Sequence, residues 1–191
     1  MFPIFLKLNQ LELLLVGGGN VGLEKLEAIL GNCPDAKVTV VAPEIKNEII
    51  DLSQKHQNLK LVKRPFLFED ITSKQLIICA TDNQALHQSI IRFAKDQNIL
   101  VNVADTPDLC DFYLSSVVQK GDLKIAISTN GKSPTFAKRF KEVLNEVIDT
   151  REINTLLENL NKYRETLKGN FSQKVKAMNE VTKKLVDKSN N

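Results

Sequence analysis

A glycine-rich turn near the amino terminus has the residue types and spacing of a phosphate-binding site. Residues 17–22 are Gly-Gly-Gly-Asn-Val-Gly and satisfy the pattern G-x-G-x-x-G between a predicted strand and a predicted helix. In that context the glycines permit a tight turn, a close approach to a pyrophosphate, and close packing of helix against strand. The N–H groups that begin the helix favour phosphate. The turn predicts a site for a dinucleotide such as NAD, formed by Gly17, Gly18, Gly19, Asn20, Val21 and Gly22.

Two further segments follow predicted strands and could contact the rest of the cofactor. Pro43 and Glu44 follow the second strand, where an acidic residue commonly binds the adenosine ribose, but here the acid comes late. Glu44 could reach the ribose, or it could be a surface residue that begins a helix. Thr81, Asp82 and Asn83 follow the fourth strand, where they could contact the nicotinamide ribose, or where Asp82 or Asn83 could cap the next helix. No arginine lies beside the end of the second strand, which favours NAD over NADP.

Asp105 is the candidate for proton transfer. It follows the predicted fifth strand, so its carboxylate is expected at the same sheet edge as the glycine turn. A carboxylate there could accept a proton from a substrate while hydride leaves to the cofactor. The same residue could be an ordinary turn aspartate before Thr106 and Pro107, and the pattern alone favours that interpretation.

An alternation of strands and helices is predicted to position these residues. Strands are predicted at Leu11–Val16, Lys37–Ala42, Leu59–Lys63, Leu76–Ala80 and Leu100–Val103. This rhythm indicates an α/β fold, a Rossmann-like parallel sheet with helices on both faces. A hairpin, a helix from Pro134, and two amphipathic helices at Ile153–Leu167 and Phe171–Val186 are predicted to follow. We expect an NAD-binding domain over residues 1–112, a hairpin and helix over 113–148, and a helical tail domain over 149–191.

The composition excludes several classes of protein. Hydrophobic residues make up 42% and charged residues 26% of the 191 residues, as is typical of a globular chain. No apolar run is long enough to cross a membrane, and the first residues do not resemble a signal peptide. Cys33, Cys79 and Cys110 are widely spaced and odd in number, which favours the reducing cytoplasm. Neither His56 nor His87 has partners at metal-ligand spacing, so we expect no metal site.

Positive charge is concentrated towards the carboxyl terminus. Residues 151–191 contain nine Lys or Arg and five Asp or Glu. Such a tail could face nucleic acid, a membrane surface or a polyanionic small molecule, or it could be a solvated helix face. It lacks a helix-turn-helix pattern, and we expect neither a nucleic-acid nor a membrane partner. One alternative to an enzyme is a non-catalytic NAD-sensing module whose basic tail binds a partner, and another is a dehydrogenase of a different small metabolite.

Five segments occur in a fixed order along the chain, namely Val16–Val21, Val40–Glu44, Ala80–Asn83, Val101–Asp105 with Cys110–Phe112, and Ala126–Pro134. Together they resemble the precorrin-2 dehydrogenase/sirohydrochlorin ferrochelatase family, the NAD-dependent module of siroheme synthase. The resemblance implies NAD-dependent oxidation of precorrin-2 to sirohydrochlorin in siroheme biosynthesis, and in some members insertion of Fe²⁺. It implies a homodimer, with residues 113–148 as the dimerisation region.

The resemblance also implies roles for individual residues. The family's essential aspartate matches Asp105, and its cofactor contacts match Asn20, Val21, Pro43 and Glu44. The substrate that the resemblance implies is a carboxylate-rich tetrapyrrole, which suits a basic cleft with polar donors. Candidate substrate-binding residues are Ser128, Lys132, Ser133 and Arg139, although solvation at the surface remains an alternative for each basic side chain.

Overall fold

The structure, a computed structural model, describes residues 2–183. The chain divides into two compact units, residues 1–114 and residues 115–191. The strands are β1 (Glu12–Val16), β2 (Lys37–Ala42), β3 (Leu59–Lys63), β4 (Leu76–Cys79), β5 (Leu100–Val103), β6 (Ser116–Lys120) and β7 (Leu123–Ile127). The helices are α1 (Asn20–Asn32), α2 (Asn47–Lys55), α3 (Gln84–Asp96), α4 (Pro134–Val147), α5 (Thr150–Thr166) and α6 (Phe171–Thr182).

The first unit contains a five-stranded sheet in the order β3-β2-β1-β4-β5, with every pair parallel. This is the order of a Rossmann-like fold. Strands β1 to β3 are added towards one edge of the sheet and strands β4 and β5 towards the other, so the strand order switches between β1 and β4. Ligands of such sheets bind outside the carboxyl ends of the strands at that point. The predicted fold class is confirmed.

The sheet is buried on both faces because successive side chains of a strand point to opposite sides. Leu13 and Leu15 of β1 belong to one buried cluster with residues of α1 and α2. Leu14 and Val16 belong to a second cluster with Ile90 and other residues of α3. Helices therefore cover both faces, and this layered core fixes the positions of the strand ends.

The second unit consists of a hairpin and three helices. Strands β6 and β7 pair antiparallel, and Gly121 in their loop has a φ of 57°, which glycine adopts without strain. Helix α4 begins at Pro134, and the Ser133 hydroxyl caps it by accepting from the Phe136 N–H at 3.1 Å.

The start of α6 is as predicted, whereas that of α5 is not. Helix α5 begins three residues earlier than predicted, because the Asp149 carboxylate accepts from the N–H groups of Arg151 and Glu152. The predicted extension of α6 to Val186 runs beyond the described residues.

Candidate functional site

The glycine turn joins β1 to α1 with very little space around its backbone. Gly17 has a φ of 123°, and a Cβ atom there would collide with the carbonyl of Ala80 at the end of β4. A Cβ at Gly18 would collide with the carbonyl of Glu44, and one at Gly22 would collide with that of Gly17. These three positions require glycine because other backbone segments pass directly against them.

Gly19 is different, since a Cβ atom there would meet nothing within 4 Å. Gly19 is the residue before α1. Among the described residues no side chain caps this helix, and the first turn of α1 contains no acidic residue. The start of α1 therefore presents N–H groups and partial positive charge to an open space. An open concavity next to a helix N-terminus fits the pyrophosphate of a dinucleotide.

The segment after β2 lies against the same turn. The Lys46 N–H donates to the carbonyl of Gly18 at 3.0 Å, which holds Pro43 and Glu44 beside the glycines with both residues exposed. The Lys46 ammonium donates to Asn20 Oδ1 at 2.7 Å and pairs with Glu48 at 3.2 Å. This cation could not be predicted, since no pattern in the sequence links residue 46 to residue 20.

Thr81 lies at the carboxyl end of β4, on the other side of the glycine turn. A Cβ at Gly17 would lie 3.2 Å from its Cγ2 atom. Its hydroxyl oxygen accepts from the Asn83 N–H at 3.3 Å and lies 2.8 Å from His87 Nε2. Burial lowers the pKa of His87, and the charge of Asp82 offsets this only in part. A neutral His87 can accept from the Thr81 hydroxyl and so fix its direction.

The short segment between β4 and α3 also caps that helix. Asn83 Oδ1 accepts from the Leu86 N–H at 3.0 Å, while Asp82 is exposed. The capping interpretation of this segment is therefore correct for Asn83. Thr81 and Asp82 remain available to contact a ligand at the sheet edge.

Asp105 is exposed immediately beyond β5, with a φ of 58°. This left-handed conformation is unfavourable for most residues, although aspartate tolerates it better than others. Strand β5 is separated from β1 by β4 alone, which places the end of β5 roughly 10 Å from the glycine turn across the sheet. A carboxylate two strands from a pyrophosphate site lies on the side where the reactive end of a dinucleotide would extend.

The three cysteines are free thiols, two of them near the site. Burial raises the pKa of Cys79 to about 12 and also raises that of Cys110. Cys79 is buried and Cys110 is half-buried, and both thiols remain protonated at neutral pH.

The candidate substrate-binding residues lie in the second unit. Ser128, Lys132 and Ser133 are in the loop that connects β7 to α4, and Ser133 accepts the capping hydrogen bond of that helix. Arg139 is on α4, where its side chain is 75% exposed and pairs with Glu142 at 2.8 Å. Their role remains a prediction.

Neither a metal-ligand cluster nor a membrane-spanning helix is present among residues 2–183. No group of three or more His, Cys, Asp or Glu side chains within that range could hold a metal ion. None of the helices described there is both long and apolar enough to cross a membrane.

Comparison with known proteins identifies the family. A family model described as putative NAD(P)-binding matches residues 4–116, more than half of the chain. The chain belongs to this NAD(P)-binding family. A second model, described as the central part of sirohaem biosynthesis proteins, matches residues 120–146. The predicted resemblance to the NAD-dependent module of siroheme synthase is thereby confirmed, and the predicted dinucleotide cofactor is confirmed as NAD(P).

Individual relatives of this NAD(P)-binding protein include siroheme synthases and a precorrin-2 dehydrogenase. It is 37% identical to the siroheme synthase of Pseudoalteromonas atlantica over 92% of its own length and 37% of that protein. It is 39% identical to the siroheme synthase of Psychrobacter arcticus over 77% of its length and 26% of that protein. The chain thus spans well under half of these curated relatives. The solved structure of SirC, a precorrin-2 dehydrogenase, superposes with a TM-score of 0.72 and 27% identity over 95% of this chain and 89% of SirC.

Proposed function

We propose that the protein is an oxidoreductase that converts precorrin-2 to sirohydrochlorin with NAD⁺ as the acceptor. The observation that carries the proposal is the exposed Asp105 carboxylate at the same sheet edge as the open glycine turn. The similarity to SirC along most of both chains supports the choice of substrate. No observation favours Fe²⁺ insertion, so the proposal is limited to the dehydrogenation.

The reaction removes two electrons and two hydrogens from the macrocycle. Bound NAD⁺ would supply the hydride acceptor, so that one of the two hydrogens leaves the macrocycle as hydride. Asp105 accepts the other hydrogen as a proton, and the electron pair of that bond forms the new double bond of the tetrapyrrole. The proton then passes from the carboxylate to solvent, which restores Asp105 for the next turnover.

Different residues bind the different parts of the dinucleotide. The N–H groups at Gly19, Asn20 and Val21 bind the pyrophosphate. The absence of side chains at Gly17, Gly18 and Gly22 lets the pyrophosphate come close to the backbone.

Pro43 and Glu44 contact the adenosine side of the dinucleotide. The exposed Glu44 carboxylate would repel a 2′-phosphate, which supports NAD over NADP. Thr81 and Asp82 contact the nicotinamide ribose. Lys46 adds positive charge beside the pyrophosphate.

The substrate's carboxylates are bound by residues of the second unit. Ser128, Lys132, Ser133 and Arg139 supply hydroxyl and cationic donors, and Lys132 and Arg139 are exposed. Substitution of Lys132 would test this role in substrate binding most directly. Its ammonium has no ion pair among the described residues, so the substitution would break none.

The Asp105→Asn variant tests the proposed chemistry directly. Asparagine tolerates the left-handed backbone, so the variant should fold normally and bind NAD⁺ as the wild type does. We expect the formation of sirohydrochlorin, followed by its absorbance, to fall at least about 100-fold because the proton acceptor is lost. Asp108→Asn, an exposed aspartate of the same turn, is the control and should keep full activity. Full turnover by Asp105→Asn would overturn the mechanism, and no turnover by the wild type would overturn the substrate.

We further propose that the protein acts as a homodimer in the cytoplasm, without a nucleic-acid or membrane partner. The free thiols at residues 33, 79 and 110 support a reducing compartment. The dimer is supported by helix α4, where Phe136, Phe140, Val143 and Val147 form an exposed apolar stripe at helical spacing.

A further inference from the structure

The left-handed backbone conformation of Asp105 has to be held in place by its surroundings. The left-handed conformation is unfavourable for residues other than glycine, although aspartate tolerates it better than most. Backbone hydrogen bonds on either side tie the turn to the sheet, since the Ala104 N–H donates to the carbonyl of Cys79 at 2.9 Å and the Thr106 N–H to that of Val103 at 3.3 Å. The second of these bonds is long, so it fixes the turn only weakly.

A thiol lies inside this turn. Cys110 Sγ accepts from the Val103 N–H at 3.2 Å. The same sulfur lies 3.2 Å from the carbonyl oxygen of Val103 and 3.3 Å from that of Thr106, either of which can accept its S–H. Val103 and Thr106 flank Asp105, so one side chain connects the backbone before the carboxylate to the backbone after it.

Two neighbouring side chains hold the thiol in place. The buried Asn102 donates from Nδ2 to the carbonyl of Phe112 at 2.8 Å and to Cys110 Sγ at 3.4 Å. The Asp111 carboxylate accepts from the Val101 N–H at 2.8 Å, and the Asp111 N–H donates to the Val101 carbonyl at 2.8 Å. The segment after the turn is thereby bound along β5, and the sulfur cannot move away from the turn without breaking these bonds.

We propose that Cys110, held by Asn102 and Asp111, is a positioning residue that sets the direction of the Asp105 carboxylate. The expected effect on turnover rests on the proposed function, whereas the expected effect on the backbone of the turn does not. Because burial raises the pKa of Cys110, the group remains a thiol that can both accept and donate within the turn. The thiol acts through Asp105 and does not touch the substrate.

Replacing the thiol should reduce turnover without weakening cofactor binding. For Cys110→Ala we expect kcat to fall about 10-fold or more, because a misplaced catalytic group is costly, while the Kd for NAD⁺ changes less than about twofold. Cys110→Ser, which can still accept and donate, should recover part of the rate and also serves if the alanine variant folds poorly. Cys33→Ala, at a half-buried cysteine after α1, is the matched control and should behave as the wild type.

Two readouts separate this inference from a general structural role. Hydrogen exchange at the amides of Ala104 and Thr106 should accelerate in Cys110→Ala while exchange in β1 is unchanged. In an Asp105→Asn background, Cys110→Ala should lower kcat no further, since the carboxylate it positions is absent. Wild-type exchange and turnover in both Cys110 variants, or an equal loss of kcat in both backgrounds, would overturn the inference. If Asp105→Asn alone kept full turnover, the proposed function would fail, and the exchange result would still decide whether Cys110 holds the turn.

Discussion

At the scale of single residues, the four glycines of the turn have two different physical reasons to be glycine. Gly17, Gly18 and Gly22 lie against other backbone segments, so a methyl group at any of them would disturb the fold. Gly19 faces open space, so a methyl group there is compatible with the fold and would occupy the volume assigned to the pyrophosphate. The role of Gly19 is thus separable from stability.

Gly19→Ala should therefore fold normally but bind NAD⁺ poorly. We expect at least about 10-fold weaker binding, equal to about 1.4 kcal/mol, measured by calorimetric titration. Gly31→Ala is the matched control, because Gly31 also lies in α1 with nothing near its Cβ position. That variant should keep its NAD⁺ affinity and gain about 0.5–1 kcal/mol in the free energy of unfolding. Unchanged NAD⁺ affinity in Gly19→Ala would mean that the pyrophosphate does not bind at this turn.

At the scale of elements, the contact between Thr81 and His87 joins the end of β4 to helix α3. The imidazole is buried, and its pKa in the folded protein is lower than the value of about 6.5 expected in the unfolded chain. As the pH falls below 6.5, the unfolded chain therefore binds a proton that the folded chain does not yet bind. The free energy of unfolding must fall with pH in this range.

His87→Gln should remove this dependence on pH. Glutamine can bond to Thr81 but does not titrate, so the stability of the variant should be flatter below pH 6.5. The slope that is lost can reach about 1.4 kcal/mol per pH unit, the limit for one proton. Urea unfolding at several pH values from 5 to 7.5 measures it, with His56→Gln to control for the loss of an imidazole. A variant that keeps the wild-type slope would show that another group causes it.

The elements of the first unit could be predicted because each is encoded by local pattern. The bounds of β2, β3 and β5 are as predicted, since each is an apolar segment ended by a proline or a polar turn. Helix α5 begins before the predicted Ile153 because its start depends on the Asp149 cap, which precedes the apolar spacing that indicates the helix. The roles of Lys46, His87 and Cys110 depend on contacts between segments that are not adjacent in sequence, and only the fold brings these together.

At the scale of the whole molecule, the two units differ in how much apolar surface they bury. The first unit has two buried clusters, one on each face of its sheet. In the described part of the second unit, residues 115–183, only Val118 and Ala137 are buried apolar residues, and neither α5 nor α6 has a buried residue. A two-stranded hairpin with helices that bury so little is marginal in water on its own. A partner surface that covered the exposed apolar residues would stabilise this unit.

A second copy of the chain is the partner that we propose, bound through α4. Phe136, Phe140, Val143 and Val147 are 58%, 42%, 50% and 75% exposed, and the two rings stack with centroids 5.8 Å apart. Such a stripe on one face of a helix is suited to packing against an identical helix across a two-fold axis. The wild type should then sediment at twice its chain mass of 21.5 kDa.

Phe140→Glu should convert this dimer to a monomer at micromolar concentration, because it places an unpaired charge in the centre of the apolar stripe. Lys138→Glu, on the opposite side of α4, is the matched control, since it also adds negative charge but should leave the dimer intact. Analytical ultracentrifugation gives the mass, and far-ultraviolet circular dichroism verifies that each variant keeps its helices. A monomeric wild type, or a Phe140→Glu variant that stays dimeric, would show that another surface covers α4. Because the second unit buries so little of its own surface, we also expect the Phe140→Glu monomer to unfold at a lower urea concentration than the dimer.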